Sequence, residues 1–207
     1  MSEKVLGPLS VIGAGIGYII VGFPHSWGGL NTYMMSYHTH YSPDLNPKLF
    51  DWIYSIILIG EAGSFLTAPF VTKSLSSRKL VMLMSVVLSL SILTSYFTFN
   101  SLLTCFLFAL GTGYTSGMIQ IACIYPPTSY YPNSIGKITC VLNTAFTVGF
   151  GIICTFYKII CNPDNLQVDP ETMMYPIDVI ENFPRLLITV ASVILFFGMI
   201  SFILMTQ

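Results

Sequence analysis

The chain has 207 residues, of which 54% are hydrophobic and only 8% charged, and its mean hydropathy is +0.74. Soluble domains carry about 25% charged residues, so this chain lacks the charge to cover a water-facing surface and reads as an all-α, polytopic membrane protein. Its formal net charge of −1 excludes the basic footprint of a nucleic-acid binder, and no nucleic-acid partner is expected.

A helix needs roughly 20 apolar residues to cross a hydrocarbon core of about 30 Å. Six stretches qualify, and they predict one six-helix transmembrane domain over residues 1–207. The first span covers about 8–37. The preceding "MSEKVLGP" holds one lysine and no cleavage pattern, and the apolar run exceeds a signal h-region of about 7–15 residues, so a retained span is expected. At about 100° per residue, Gly15, Tyr18, Gly22, His25, Gly29, Tyr33 and Ser36 share one helix face. His25 is therefore expected to point into the bundle, and Asn31 is a second polar group on this span. Pro24 frees a backbone carbonyl and can bend the helix. Two readings follow: a bent wall that moves around a cavity, or a kink that serves packing, with His25 bonded to a neighbouring backbone.

A polar loop, "HTHYSPDLNPKLFD", covers 38–51, and the second span covers about 52–71. On it Tyr54, Glu61, Ser64 and Ala68 share a face. Glu61 lies about 14 Å along the helix from Trp52, near mid-bilayer. An ionisable group in lipid costs a few kcal/mol or more and so faces a bundle interior or a cavity. Glu61 either carries a proton with substrate or sits protonated, bonding the fifth or the first span.

The third span, about 80–99, follows a short basic loop, "TKSLSSRK", and ends at a tight turn, Asn100–Ser101. The fourth, about 102–125, carries a stripe of Gly113, Gly117 and Gln120. A proline-bounded loop is expected at 126–135. The fifth span, about 136–157, aligns Gly136, Cys140, Asn143, Thr147 and Cys154. The longest and most acidic loop, 158–185, leads to the sixth span, about 186–205.

Spans three and six hold no ionisable or amide side chain and are the expected lipid-facing pair. Polar, polar, bare thus occurs twice, as in a three-plus-three inverted repeat. The glycine texture agrees: "GAGIG" (13–17) in the first span matches "GTGYTSG" (111–117) in the fourth. Gly15, Gly22, Gly29, Gly113 and Gly117 are read as helix-packing positions. His25, Asn31, Glu61, Gln120 and Asn143 are the candidates for a substrate or proton pathway.

The five cysteines show no CxxC or CxxH spacing, and a thiol in an apolar run behaves as a small hydrophobe, so no metal site, disulfide framework or cofactor is expected. The intramembrane polar residues offer no nucleophile–base pair, which argues against an enzyme. With the N-terminus in the cytoplasm, Lys4, Lys73, Arg78, Lys79 and Lys137 fall inside, and Lys48, Lys158 and Arg185 fall outside. This bias places both termini in the cytoplasm.

Specific stretches resemble the major facilitator superfamily, in its monocarboxylate-transporter and oxalate–formate-antiporter group. "GFPHSWG" (22–28) is similar to that group's first-helix motif, with His25 in the position of a functional lysine. "YYPNSIGKITCVLNTAFTVG" (130–149) resembles its loop 4–5 and fifth-helix start: Tyr131, Pro132 and Gly136 match, while Asn133, Ser134 and Ile135 replace basic residues. "NPDNL" (162–166) and "NFP" (182–184) resemble the loop 5–6 of protist members. The superfamily's loop 2–3 signature is altered: Arg78 and Lys79 fit its basic end, but Lys73 replaces the acid and Ser76 the glycine. The resemblance covers about residues 8–205.

It implies two six-helix halves with substrate at their interface, this chain resembling the first, and a small organic anion as substrate, with a proton as coupled ion. A histidine in place of lysine is charged only in acid, so anion uptake is expected to be acid-favoured. The second half is expected from another copy or another chain. The alternative is a non-transporting accessory subunit of a larger membrane complex, which the altered loop 2–3 signature favours.

Overall fold

The computed structural model describes residues 3–44, 46–97 and 102–205; the expected turn at Asn100–Ser101 lies outside them. Helices α1 (Glu3–His25) and α2 (Trp27–Tyr41) form the first span and its continuation, interrupted at Ser26. A 3₁₀ turn, Pro47–Leu49, leads into α3 (Phe50–Ser74). Then come α4 (Ser77–Phe97), α5 (Leu102–Tyr130) and α6 (Ile135–Phe156), which continues as a π turn over Tyr157–Cys161. A single turn, α7 (Ile177–Ile180), precedes α8 (Phe183–Leu204). Six of these helices are long and apolar enough to cross a membrane, and no strand occurs among the described residues.

Local chemistry sets the boundaries. At the start of α3, the Asn46 side chain accepts from the Lys48 N–H at 3.1 Å and Pro47 opens the turn; proline suits a first helical position, where no N–H is needed. The expected loop at 126–135 is mostly helical, because α5 runs through Pro126 and Pro127 to Tyr130. Just past the prolines, the Thr128 and Ser129 hydroxyls donate to the Ile124 and Pro126 carbonyls at 2.8 Å each, adding side-chain bonds to this last turn. The helix stops one residue before Pro132, which disfavours helical geometry in its predecessor; Tyr131 has φ −129° and ψ 61°.

The packing of the spans has internal symmetry. Helices α1 and α5 meet at the centre. Helices α3 and α4 flank α5, α6 and α8 flank α1, and α4 packs against α8. Exchanging each span for the one three further along returns the same set of neighbours. Three spans reverse the direction of the chain, so the second triplet is inverted relative to the first. The ends meet on one side of the bundle, where Ser201 Oγ donates to the Gly13 carbonyl at 2.8 Å.

Glycines make the closest crossings. A Cβ on Gly113 would lie 2.0 Å from the Ile57 carbonyl oxygen of α3, and one on Gly60 2.8 Å from that of Leu110. The symmetry-related crossing joins Gly22 of α1 to Gly149 of α6. Gly117 packs on Ser64 and Glu61, Gly29 on Tyr157 and Gly15 on Ala145. Small residues let backbones approach where dispersion, not water exclusion, drives association.

Two expectations are corrected. Spans three and six are not the most exposed pair: α3 and α6 have 28% and 22% of their apolar windows buried, against 39% for α4 and α8. Hydroxyls tie α4 to α8: Ser89 Oγ donates to the Ala191 carbonyl at 3.0 Å, and Ser85 packs on Gly198. The lack of charged and amide groups beyond their first turns did not make these helices peripheral. In the fifth span, Gly136, Cys140, Asn143 and Thr147 are exposed, while Ile138, Leu142, Gly149 and Ile153 form the buried face. The close approach at Gly149 fixes the rotation of α6 and turns the polar stripe outward.

Candidate functional site

Three of the candidate pathway residues converge on one buried carboxylate. Glu61, near the middle of α3, sits where Gly117 allows α5 to come close; a Cβ on Gly117 would be 3.0 Å from Glu61 Cγ and 2.0 Å from Ser64 Oγ. That approach brings Gln120, one turn further along α5, to Glu61: its Nε2 donates to Oε1 at 2.6 Å. From α1, His25 Nε2 stands 3.4 Å from Glu61 Oε2. Each carboxylate oxygen therefore faces a different span. The partners come from the first and fourth spans: of the two spans expected to meet Glu61, the first does and the fifth does not, and Gln120 of α5 is the added partner.

His25 is held by aromatic edges as well as by its contact with Glu61. Phe146 of α6 meets its ring edge-on at 5.0 Å between centroids, and Tyr54 of α3 does so at 6.5 Å. Its side chain is 20% exposed, so the site is shielded but not sealed. His25 Nδ1 has no hydrogen-bond partner among the described residues.

The backbone beside His25 is irregular. Pro24 offers no N–H within α1, and at Ser26 the helix breaks, with φ −78° and ψ 11°. The Ser26 N–H reaches both the Gly22 and Phe23 carbonyls, at 3.1 and 3.0 Å. Its hydroxyl donates to the Phe23 carbonyl at 2.6 Å and hydrogen-bonds the Tyr157 hydroxyl. The histidine thus sits immediately before a break braced by α6.

The other two candidates lie elsewhere. Asn31 is half-buried on α2, its Oδ1 without a partner among the described residues. Asn143 is on the exposed face of α6. Sequence reasoning missed Phe146, Gly60, Gly149 and the Ser26–Tyr157 contact. The spacing of Ile138, Leu142, Gly149 and Ile153 was the available signal for the packed face of α6.

Chemically, the cluster sets one carboxylate between an amide donor and an imidazole. An ionised Glu61 beside neutral His25 carries one negative charge; adding a proton to either residue neutralises the pair as a unit. Burial disfavours an uncompensated charge, so the Glu61 carboxylate depends on these two neighbours. Comparison with protein-family models, curated proteins and solved structures finds no match to this chain.

Proposed function

We propose that the chain is a six-helix unit of a secondary transporter of major facilitator type, moving a small monocarboxylate-like anion together with a proton. The observation that carries this reading is the pairing of Glu61 with both His25 and Gln120, three spans joined at one titratable group beside a helix break. Intramembrane ionisable groups of this kind mark ion and proton pathways. The symmetric neighbour pattern of the two helix triplets supports it, since inverted repeats place such sites at their interface. In this reading the side carrying both chain ends is cytoplasmic, no cofactor takes part and the protein is not an enzyme.

The exposed faces of α3 and α6 are the docking surface for a second six-helix unit, from another copy or another chain. Exposed Asn143 and Thr147 support this, because amide and hydroxyl groups in a span favour a protein neighbour over acyl chains. The same exposure favours the accessory-subunit alternative, in which that neighbour belongs to a larger complex. Uptake of a radiolabelled monocarboxylate into proteoliposomes distinguishes them. Uptake that rises as the outside is acidified from pH 8 to 5.5 is expected. Uptake indifferent to that gradient would remove the proton, and no uptake by the intact native particle would leave the accessory role.

A further inference from the structure

Toward the outer end of the bundle, two helices lose regular geometry at facing positions. The first span breaks at Ser26, and α6 passes into the π turn at Tyr157. Between them lies a cavity of about 280 Å³ lined by Gly28, Gly29, Tyr33, Tyr157, Lys158 and Tyr175, with Thr32 and Cys154 completing the wall. Single π turns recur at functional sites, and irregular backbone at membrane depth is tolerated where it lines a cavity.

The cavity is built rather than incidental. Tyr175, from the loop before α7, stacks on Tyr33 with centroids 4.5 Å apart and planes within 9°. Its backbone N–H donates to Ser36 Oγ at 3.0 Å, fixing that loop to α2 as a roof. On the floor, a Cβ at Gly28 would meet nothing within 4 Å, so the space continues down to the backbone. Among the described lining residues Lys158 alone is charged, and no carboxylate opposes it. Thr32 adds a hydroxyl and the three tyrosines supply flat apolar walls. The volume lies just below the usual range of ligand pockets, about 300–1,000 Å³, and so suits only a small ligand.

We propose that this cavity is a binding subsite for a small monocarboxylate with a planar apolar body, its carboxylate on Lys158 and its body against Tyr33 and Tyr175. The ligand class rests on the transport reading above; the location and the anchoring cation do not. Lys158, and not His25, is then the group that first captures the anion, and His25 and Glu61 handle the proton.

Cys154 in the wall provides the test. In the full chain with Cys105→Ser and Cys140→Ser, reconstituted in neutral phosphatidylcholine vesicles, a small impermeant methanethiosulfonate reagent should label Cys154, since Cys123 and Cys161 are buried. Benzoate should slow that labelling several-fold, and neutral benzamide should not. Lys158→Gln and Gly28→Leu should each abolish protection, while Lys158→Arg retains it. Three results would overturn the proposal: Cys154 unreactive without benzoate, equal protection by benzamide, or full protection in Lys158→Gln. Protection without uptake would leave the subsite standing and remove the transport reading; uptake without protection would do the reverse.

Discussion

Gly22 faces Gly149 across the crossing of the first and fifth spans so closely that neither position has room for a methyl group. A Cβ on Gly22 would lie 2.4 Å from the Phe150 nitrogen, and one on Gly149 2.3 Å from the Ile19 carbonyl oxygen. These are backbone atoms on rigid helices, so relief requires the helices to separate. Gly149→Val is therefore expected to destabilise the fold by about 1–3 kcal/mol or more. Gly136 and Gly151 are controls, since a Cβ there meets nothing within 4 Å. Their alanine variants should be neutral or up to about 1 kcal/mol more stable, through helix propensity. Thermal unfolding of detergent-solubilised variants measures both; similar melting for Gly149→Val and Gly136→Ala would contradict the close crossing.

Ser26 and Tyr157 predict an asymmetry. The Tyr157 hydroxyl is buried with the Ser26 hydroxyl as its bonding partner, whereas Ser26 also has the Phe23 carbonyl. Ser26→Ala leaves a buried phenol unpaired, at a cost of about 1–3 kcal/mol, whereas Tyr157→Phe removes one bond from a serine that keeps another. The double variant should be more stable than Ser26→Ala alone, and a double-mutant cycle reads that coupling. Additive losses would mean that the two hydroxyls do not depend on each other.

How far the sequence reached follows from what helical periodicity encodes. It specifies a face but not the helix that the face meets. For Glu61, Ser64 and Ala68 the face was right, because on α3 the small and polar residues are also the packed ones. On α6 the same rule pointed outward, because Asn143 and Thr147 lie opposite the glycine that sets the contact. The spans themselves were legible because hydrocarbon thickness fixes their length. His25, Glu61 and Gln120 were legible as costly residues. Their meeting at one carboxylate was not, since it depends on the second span packing on the fourth, a pairing separated in sequence by the whole third span.

His38 gives the fold a pH dependence outside the membrane-spanning segment. On the last turns of α2, at 2% exposure, burial pushes its imidazole down to about 4. The unfolded value is about 6.5, so below that pH the unfolded chain takes up the proton first. The contribution of His38 is thus complete above about pH 6.5 and is lost as pH falls toward about 4. The melting temperature of the solubilised protein should drop between pH 7.5 and 5, and by several degrees less in His38→Gln. An identical drop in both would place the acid sensitivity elsewhere.

Glu61 permits the sharpest separation of structure from mechanism. Gln at this position keeps an oxygen to accept from Gln120 and fills the same volume, but it offers His25 no carboxylate and cannot bind or release a proton. Ala removes the acceptor altogether and leaves the Gln120 amide and the His25 imidazole facing a void. Glu61→Ala should therefore lower stability by about 1–3 kcal/mol through unsatisfied polar groups, with a further loss from the void itself, and Glu61→Gln should melt close to the unsubstituted protein. In proteoliposomes Glu61→Gln should retain benzoate protection of Cys154 while losing the acceleration of uptake by outside acid. That split is required if Lys158 captures the anion and Glu61 carries the proton. A Glu61→Gln variant that still responds to acid would show that the carboxylate between His25 and Gln120 is a packing device, and the proton would have to travel by another group.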